Sequence, residues 1–531
     1  MAVTTVRDAV RALMREWGLT TVFGNPGSTE LGFLTGWPDE FRYVLGLQES
    51  TVVAMADAYA QLTGEAAVVS LHSAGGLGHG LGSLVTAFHN RAPLVVLAGQ
   101  QARELLPGDP FLGALDAAEF PRPYVKWSNQ PARAEDVPAA FARAYRMATQ
   151  PPRGPVFLSV PADDWDRPAA LLPTPPRVPG FAADDEALAG LVAALAASRR
   201  PALVVGAPVD ADDAVPDAVA LAERLRAAVW AAPFSGRSSF PEDHALFAGF
   251  LAPNRAAVAT ALAPYDLVVV LGAPAFTYHV VSDEGPALPP LHVVSDDPQV
   301  LARTTAPGVL TTLRAAIRRL TGLVPEATRP APEPQTRAPR LPEPAEGLSG
   351  AFVYQTLADL LPENALVVEE APTHRQDMQR HLPIRAHGRG YLTMASGVLG
   401  YGLPAAVGAA LAEPSRRVAA VLGDGSSMYG IQALWTAVRE RAAVTFVVLD
   451  NGEYAAVRRH ARRGGAEKVP GTELGDLDFA ALAQGMGVTG RHVRTAPQLR
   501  DALRTALAGD TPTVLHVHLA VTGRENAAGG R

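Results

Sequence analysis

The chain has 531 residues, of which 48% are hydrophobic and 19% charged; this is globular composition at a length that suggests about three domains. The net charge of −7 indicates no nucleic-acid-binding surface, and the absence of cysteine excludes disulfides and thiolate metal sites. The N-terminal segment predicts an amphipathic helix rather than a signal peptide, and no uncharged apolar run is long enough for a membrane span. We therefore expect a cytoplasmic protein without nucleic-acid or membrane partners.

Two proline-rich stretches divide the chain. Residues 166–180 and 325–344 are too rich in proline for a helix or a central strand, and they predict extended linkers. The division leaves three predicted domains, at 1–165, 181–325 and 347–525.

Each predicted domain alternates short apolar runs with amphipathic helical segments. This alternation indicates parallel sheets covered by helices on both faces, so we predict an α/β protein of three doubly wound parallel-sheet domains. The predicted strands are residues 20–23, 66–71, 94–98 and 156–160 in the first domain, 202–205, 228–231, 267–271 and 291–295 in the second, and 366–368, 418–422, 444–450 and 514–517 in the third.

Three loops of the first domain carry side chains that suit chemistry. Ser28 ends the turn Phe23-Gly24-Asn25-Pro26-Gly27-Ser28 after a strand, where a hydroxyl can face a ligand. Glu49 ends an apolar strand before a helix predicted at 51–61, and its charge would also simply favour a helix N-terminus. His72 follows a strand in Leu71-His72-Ser73-Ala74-Gly75-Gly76; taken alone, it fits an ordinary hydrogen-bonded histidine.

Two motifs of the third domain have the spacing of a cation and phosphate site. Asp424 lies in Gly423-Asp424-Gly425 after one predicted strand, and Asn451 follows the next strand 27 positions later. A carboxylate and an amide oxygen at neighbouring strand ends suit Mg²⁺, and the glycines let backbone N–H groups approach a diphosphate. Each motif alone also fits a tight turn.

Taken in order, these motifs resemble the thiamine diphosphate-dependent 2-oxo acid decarboxylase and carboligase family, in particular its benzoylformate decarboxylase-like branch. The resemblance covers nearly the full length. It is carried by FGNPGS at 23–28, LQES at 47–50, LHSAGGLG at 71–78, GAPAFTYH at 272–279, GVLGYGLPAAVG at 397–408, GDGSSMY at 423–429 and DNGEYAAVR at 450–458.

The resemblance implies a thiamine diphosphate-binding fold and a role for each matching residue. Asp424, the Asn451 side chain and the Glu453 carbonyl would hold Mg²⁺ or Ca²⁺ against the diphosphate. Glu49 would bond the pyrimidine ring, and Leu399 would bend the cofactor. The other cofactor-binding residues implied by the resemblance are Asn25, Thr373, Gly397, Gly423, Gly425, Ser426 and Tyr454.

The implied reaction is nonoxidative decarboxylation of a small-molecule 2-oxo acid to an aldehyde and CO₂. It leaves a carbanion, which needs the electron sink of a cofactor. Ser28 would orient the substrate carboxylate, and His72 and His279 would transfer protons near neutral pH. The resemblance also implies a homodimer or homotetramer with active sites at the subunit interface, where Glu49 of one subunit faces Asp424 of another.

Departures from the branch concern the substrate. Thr393 and His460 stand where the branch presents phenylalanines, and losing two ring faces removes about 1–3 kcal/mol of contact for an aryl substrate. Asp450 stands where the family often has asparagine. No adjacent His-His pair occurs, which argues against the pyruvate-type branch. A carboligase of the acetolactate synthase type and a noncatalytic nucleotide-binding scaffold remain as alternatives.

Overall fold

The computed structural model describes residues 3–174, 176, 180–282, 285–336, 338–385, 388–466 and 468–520. Its internal contacts divide the chain into two units. The first unit comprises Met1–Thr336 and Ile384–Val398, and the second comprises Arg337–Pro383 and Leu399–Arg531. The domain boundaries given above stay a prediction.

The first sheet has six strands in the order β3-β2-β4-β5-β7-β6, all paired in parallel, while β1 and β8 form a separate antiparallel pair. The strands are β1 (Val3–Thr5), β2 (Thr21–Gly24), β3 (Arg42–Leu45), β4 (Ala67–Leu71), β5 (Leu94–Gln100), β6 (Ser128–Asn129), β7 (Val156–Pro161) and β8 (Pro168–Ala170). The helices are α1 (Val6–Glu16), α2 (Leu31–Leu34), α3 (Glu49–Thr63), α4 (Ser73–Asn90) and α5 (Val137–Thr149), with 3₁₀ turns at Ser28–Glu30, Leu106–Gly108 and Ala134–Asp136.

The middle sheet, in the same unit, is also entirely parallel, in the order β11-β10-β9-β12-β13-β14. Its strands are β9 (Pro201–Val205), β10 (Ala228–Ala231), β11 (Phe247–Phe250), β12 (Leu267–Leu271), β13 (Leu291–Ser295) and β14 (Gly308–Leu310). Its helices are α6 (Asp185–Ala197), α7 (Ala207–Ala211), α8 (Val215–Leu225), α9 (Arg255–Leu262), α10 (Pro298–Ala302) and α11 (Leu313–Leu323).

The third sheet, in the second unit, runs β15-β17-β18-β20-β19, and these strands pair in parallel. Its strands are β15 (Leu366–Glu370), β17 (Val418–Gly423), β18 (Val444–Asp450), β19 (Thr489–Val493) and β20 (Thr513–His518), while the short strand β16 (Tyr391–Thr393) belongs to the first unit. Its helices are α12 (Gly350–Leu360), α13 (Arg375–His381), α14 (Gly402–Ala412), α15 (Asp424–Met428), α16 (Ala433–Arg439), α17 (Ala455–Arg463), α18 (Phe479–Gly485) and α19 (Ala496–Ala508).

Burial on both faces explains why the central strands read as mostly apolar runs. Every residue of β4, β5 and β7 is buried, as is every residue of β9, β12 and β15. The α/β prediction of three parallel sheets is therefore confirmed, and the central strands agree with it within one or two residues. The N-terminal segment differs, because the short strand β1 precedes α1.

Two predicted element ends were wrong for a common reason. The helix predicted at 51–61 begins at Glu49, and the strand predicted at 366–368 continues through Glu369 and Glu370. Both glutamates of the strand are fully buried; Glu369 accepts a hydrogen bond from Arg375, and Glu370 accepts from backbone N–H groups. A charged side chain looks like the end of a buried element unless its partners are known.

The proline-rich stretches differ from each other. In 166–180, Pro168 opens the short edge strand β8, a position where a missing N–H costs no ladder bond. The described residues of 325–344 contain no helix or strand. Within the described residues, no helix combines the length and apolar character needed to cross a lipid bilayer.

Within the first unit, a buried ionic network joins a helix of the middle sheet, α7, to a helix of the first sheet, α3. Arg237 is 4% exposed, and its Nε lies 2.5 Å from Asp210 Oδ2. Its Nη1 lies 3.2 Å from the Gln61 side-chain oxygen on α3, and Asp210 Oδ1 accepts from the Arg389 N–H at 2.7 Å. Each charge thus has several partners, as burial of an ion pair requires.

We predict that Asp210→Ala destabilises the first unit by about 3–5 kcal/mol, because it leaves the Arg237 charge buried without its counter-ion. The measurement is the urea midpoint of unfolding, followed by fluorescence. Asp136→Ala is the control, because it removes an exposed ion pair with Arg133 and should leave the midpoint unchanged. Equal midpoints for Asp210→Ala and the parent protein would contradict this account.

Candidate active site

Three neighbouring strands of the first sheet end in the loops that carry the predicted residues. Asn25 follows β2, Glu49 follows β3 as the first residue of α3, and His72 follows β4. The order β3-β2-β4 places these loops side by side at the carboxyl edge of the sheet, where open α/β sheets bind ligands.

Glu49 is held as a buried carboxylate by two side chains. It is 8% exposed; Asn25 Nδ2 donates to its Oε1 at 3.2 Å, and His79 Nδ1 lies 3.1 Å from its Oε2. The helix behind it is capped by Gln48, whose side-chain oxygen accepts from the Ser50 N–H at 2.7 Å. Glu49 therefore does more than favour the helix N-terminus, because capping is done by its neighbour.

His72 is oriented by a second buried carboxylate, Glu30. His72 Nδ1 lies 3.0 Å from Glu30 Oε2, while the Gly27 and Gly99 N–H groups and the Thr29 hydroxyl also donate to Glu30. An ionised carboxylate only accepts, so this arrangement puts the proton of neutral His72 on Nδ1. Nε2 is then the atom that can take and return a proton.

Two glycines permit this close packing. A Cβ added to Gly27 would lie 2.1 Å from His72 Nδ1, so the His72 ring occupies the space that any side chain would need. A Cβ added to Gly76 would lie 3.3 Å from Glu49 Oε1 and 3.4 Å from the His72 Cβ. Glu49 and His72 therefore flank the same glycine, and the structure brings these two predicted residues together.

The other predicted residues of the first unit are placed more loosely. Ser28 is exposed and begins a 3₁₀ turn after Gly27. His279 is exposed in the connection between β12 and β13. Its backbone N–H donates to the Pro253 carbonyl at 2.9 Å, and its ring meets the Phe234 ring edge-on, with 6.0 Å between the ring centroids. Gly397 has a φ of +78°, a conformation that favours glycine.

In the second unit, Asp424 and Asn451 are in direct contact. Asp424 is 4% exposed, and its Oδ2 accepts from the Asn451 N–H at 3.1 Å and the Gly452 N–H at 2.8 Å. Its Oδ1 accepts from the Gly425 N–H at 2.7 Å. Burial raises the pKa of Asp424 above its ordinary value, and the nearby Asp450 carboxylate adds to the rise.

The Asn451 loop is held by a short hairpin contact. Tyr454 N–H donates to the Thr472 carbonyl at 2.8 Å, and the Gly452 carbonyl accepts from the Leu474 N–H at 2.9 Å. The Tyr454 ring lies against Gly425, where a Cβ would be 2.3 Å from the ring. The carboxylate of Glu453 pairs with Arg458. The oxygen that Glu453 would offer a cation is therefore that of its backbone carbonyl.

The remaining predicted residues line the same unit at the ends of β15 and β17. Thr373 is half-buried in the turn after β15, and its carbonyl accepts from Arg459 at 3.4 Å. Leu399 precedes Gly400, whose N–H donates to Glu370 at 2.6 Å. Burial raises the pKa of Glu370 to about 8. Gly423 and the buried Ser426 flank the start of α15.

Comparison with known proteins agrees with this geometry. Three models of one family match in order: the N-terminal TPP binding domain of thiamine pyrophosphate enzymes at residues 4–120, the central domain at 188–320 and the C-terminal TPP binding domain at 371–517. Benzoylformate decarboxylase of Pseudomonas aeruginosa is 42% identical, over 97% of this chain and 98% of that protein. The chain belongs to the thiamine pyrophosphate enzyme family. The resemblance seen in the sequence is thereby confirmed.

Solved structures of the family superpose over nearly the whole chain. A thiamine diphosphate-dependent 4-hydroxybenzoylformate decarboxylase from Rhodococcus jostii RHA1 has a TM-score of 0.94 at 38% identity and covers 98% of this chain and 100% of that one. Benzoylformate decarboxylase from Polynucleobacter necessarius has a TM-score of 0.95 at 36% identity, with 98% and 99% coverage.

The second unit's donor set fits the diphosphate and cation of a thiamine pyrophosphate enzyme. A carboxylate, an amide oxygen and a backbone carbonyl are all hard oxygen ligands of the kind that Mg²⁺ and Ca²⁺ take. A Cβ on Gly423 would meet no atom closer than Ser426 Oγ at 3.5 Å, and Gly452 is open at a φ of +70°. The backbone there is accessible to a bound group.

Sequence reasoning missed two residues of the site. Glu30 and His79 contact His72 and Glu49, respectively, but neither was singled out. Glu30 lies two positions after Ser28, and its burial was the missing information. His79 lies on α4, seven residues after His72, which immediately precedes this helix. Two helical turns therefore place His79 on the side of α4 from which His72 enters.

We predict that Asp424→Asn abolishes tight binding of thiamine diphosphate with Mg²⁺. The amide loses the charge that a cation needs, so the loss should exceed the roughly 10–100-fold seen when mere partners of metal ligands are removed. Isothermal titration of the cofactor in the presence of Mg²⁺ gives the affinity. Asp476→Asn, an exposed residue of the same unit, should bind as the parent protein does. Unchanged affinity in Asp424→Asn would remove this residue from the site.

Proposed function

We propose that this protein is a thiamine diphosphate-dependent decarboxylase that converts a benzoylformate-like 2-oxo acid to an aldehyde and CO₂. The observation that carries the proposal is the convergence of Glu49 and the Glu30-oriented His72 on Gly76, in a chain that belongs to the thiamine pyrophosphate enzyme family. Its 42% identity with benzoylformate decarboxylase supports this reaction over others of the family.

The reaction breaks the bond between the carboxylate carbon and the carbonyl carbon and replaces it with a C–H bond. When bound, thiamine diphosphate supplies the electron sink for the electron pair of the broken bond. We assign cofactor binding to Asn25, Glu49, Thr373, Gly397, Leu399, Gly423, Gly425, Ser426 and Tyr454. Asp424, Asn451 and the Glu453 carbonyl would hold Mg²⁺ or Ca²⁺ at the diphosphate.

The substrate side of the proposal uses three residues of the first unit. Ser28, exposed beside Gly27, donates its hydroxyl to the substrate carboxylate. His72 moves a proton at Nε2 because Glu30 holds Nδ1. His279 serves the second proton transfer. Its ring is exposed and the His72 ring is partly exposed, so both can exchange protons with water.

Assembly and location belong to the proposal as well. Family resemblance supports a homodimer or homotetramer in which Glu49 of one subunit and Asp424 of another serve one active site. A cytoplasmic location stays a prediction.

We predict that His72→Ala lowers the rate of CO₂ release by about a hundredfold or more, because it removes the proton-transfer group. Affinity for thiamine diphosphate should not change, since Glu49 and Asp424 are untouched. The assay uses benzoylformate with thiamine diphosphate and Mg²⁺, and identifies the organic product. His89→Gln, at the far end of α4, is the control and should keep full activity.

The product distinguishes the proposal from its alternative. Benzaldehyde alone supports decarboxylation, whereas small 2-hydroxy ketones made from pyruvate would support a carboligase of the acetolactate synthase type. A His72→Ala variant as fast as the parent protein would remove His72 from the mechanism. Absence of both cofactor binding and turnover would favour the noncatalytic scaffold.

The substrate preference depends on two differently placed residues. Thr393 is 1% exposed, its N–H donates to the Gly236 carbonyl at 3.0 Å, and its hydroxyl lies 3.4 Å from the Met394 sulfur. His460 is exposed on α17. A larger side chain at Thr393 would overpack the strand, whereas a change at His460 meets no such limit.

We predict that His460→Phe raises kcat/KM for benzoylformate roughly fivefold relative to pyruvate, because a restored ring face contributes about 1 kcal/mol. The measurement is the ratio of the two kcat/KM values in steady state. Arg462→Phe places the same ring two positions along the same helix and should leave the ratio unchanged. A ratio that does not move in His460→Phe would mean that this position does not face the substrate.

A further inference from the structure

Three histidines of the second unit gather on one face of the third sheet. His516 and His518 alternate along β20 and so point to the same side. In the parallel register, His492 of β19 pairs with His516, and Asp450 of β18 pairs with His518. Three adjacent strands thus place three imidazoles and one carboxylate together.

The distances suit a shared metal ion. His492 Nδ1 lies 3.1 Å from His518 Nε2, and one ligand atom from each of the three rings lies within 4.8 Å of the others. Zinc binds histidine nitrogen at about 2.0–2.1 Å in a tetrahedron, so two such nitrogens stand about 3.3 Å apart. The separations of the three ligand atoms, at most 4.8 Å, therefore exceed that value by no more than about 1.5 Å.

His516 has the hydrogen-bonding pattern of a metal ligand. It is 1% exposed, and its Nε2 lies 2.8 Å from Asp450 Oδ2, so the carboxylate holds the proton on Nε2. Its Nδ1 is buried and has no hydrogen-bond partner. Metal-bound histidines commonly donate their other ring N–H to a carboxylate in this way, which leaves the free nitrogen's lone pair for the metal.

The charges around the rings favour a cation. Asp478 Oδ1 lies 3.4 Å from His492 Nε2 and 3.7 Å from His516 Nδ1, and Asp450 faces the cluster from the other side. Burial, helped by His516 and Arg494, lowers the pKa of His518 to about 4, so this ring is neutral at pH 7. The His516 and His518 rings also pack against each other, with 4.1 Å between their centroids. This packing alone would leave the buried His516 Nδ1 without a hydrogen-bond partner.

We propose that His492, His516 and His518 bind a divalent transition metal ion of the Zn²⁺ class, with a water molecule in the fourth position. Three imidazole nitrogens suit Zn²⁺, Co²⁺ or Ni²⁺ and not Mg²⁺, so this site differs in chemistry from the all-oxygen set at Asp424. It does not depend on the proposed function.

The site has a direct link to the cofactor-binding loop. Asp450 Oδ1 accepts from the Gly452 N–H at 3.0 Å, the same N–H that donates to Asp424 Oδ2. A metal held by His516 therefore also anchors Asp450, one residue before Asn451. The ion stabilises the end of β18 from which the loop leaves.

Cobalt binding tests the proposal. Full-length protein without an affinity tag is freed of metals with a chelator, then given thiamine diphosphate and excess Mg²⁺, and titrated with Co²⁺. We expect one Co²⁺ per chain with the visible absorption of tetrahedral nitrogen coordination, displaced by Zn²⁺. His492→Gln and His518→Gln should each weaken binding by more than the roughly 10–100-fold that loss of a metal ligand's outer partner costs, because each removes a ligand. His381→Gln, outside the cluster on α13, should bind as the parent protein does.

A second measurement separates metal binding from folding defects. The exposed His492 can be replaced without disturbing the core, so His492→Gln should keep the parent's thermal midpoint without metal. Zn²⁺ should raise the midpoint of the parent protein and not that of this variant, because a ligand stabilises only the state that binds it. Full Co²⁺ affinity in both cluster variants would overturn the proposal. So would binding that is lost only in Asp424→Asn, which would assign the metal to the diphosphate site.

Discussion

A carboxylate buried at the start of a helix sets the arrangement of the first unit. Removing the charge of Glu49 from water is costly, and the cost is offset because Asn25 and His79 each bond one oxygen. Those two residues lie on different elements, so the loop after β2 and the helix α4 must approach α3 together. The glycines at 27 and 76 make that approach sterically possible, and the same approach brings His72 beside Glu49. The geometry of the candidate active site in the first unit thus follows from satisfying one buried charge.

A strand or a site residue could be predicted from the sequence when the residues that determine it are close to it along the chain. The strands β9, β12 and β17 are continuous runs of apolar residues and glycine, so burial on both faces could be inferred from the residues alone. The short edge strands β6, β14 and β19 carry no such run, since they are covered on fewer sides, and the sequence did not indicate them. Asp424 and Asn451 were predictable because strand ends bring them together. Glu30 and His79 were not, because their importance depends on contacts with residues 42 and 30 positions away.

The positions that differ from the benzoylformate decarboxylase-like branch are not equivalent. Thr393 is packed in a strand, where its small size is part of a tight fit, and the rest of the structure has adapted to it. His460 is exposed on a helix with no buried residues, so a larger ring at this position meets no core packing. A substitution by phenylalanine therefore changes core packing at Thr393 and a solvent-exposed surface at His460.

Asp450, which stands where the family often has asparagine, is explained by the side chains around it. A second asparagine at this position would satisfy the Gly452 N–H equally well, so that contact does not explain a carboxylate. The charge is explained by His516 and His518: although burial opposes ionisation, the His516 hydrogen bond keeps the pKa of Asp450 below its ordinary value. Together with burial, an ionised Asp450 raises the pKa of Asp424, which the proposed cation site would need deprotonated. Positive charge in the histidine cluster opposes that effect. The cluster and the cofactor-binding loop are therefore coupled through one carboxylate, and the departure at Asp450 is best understood as one half of a pair with the three histidines.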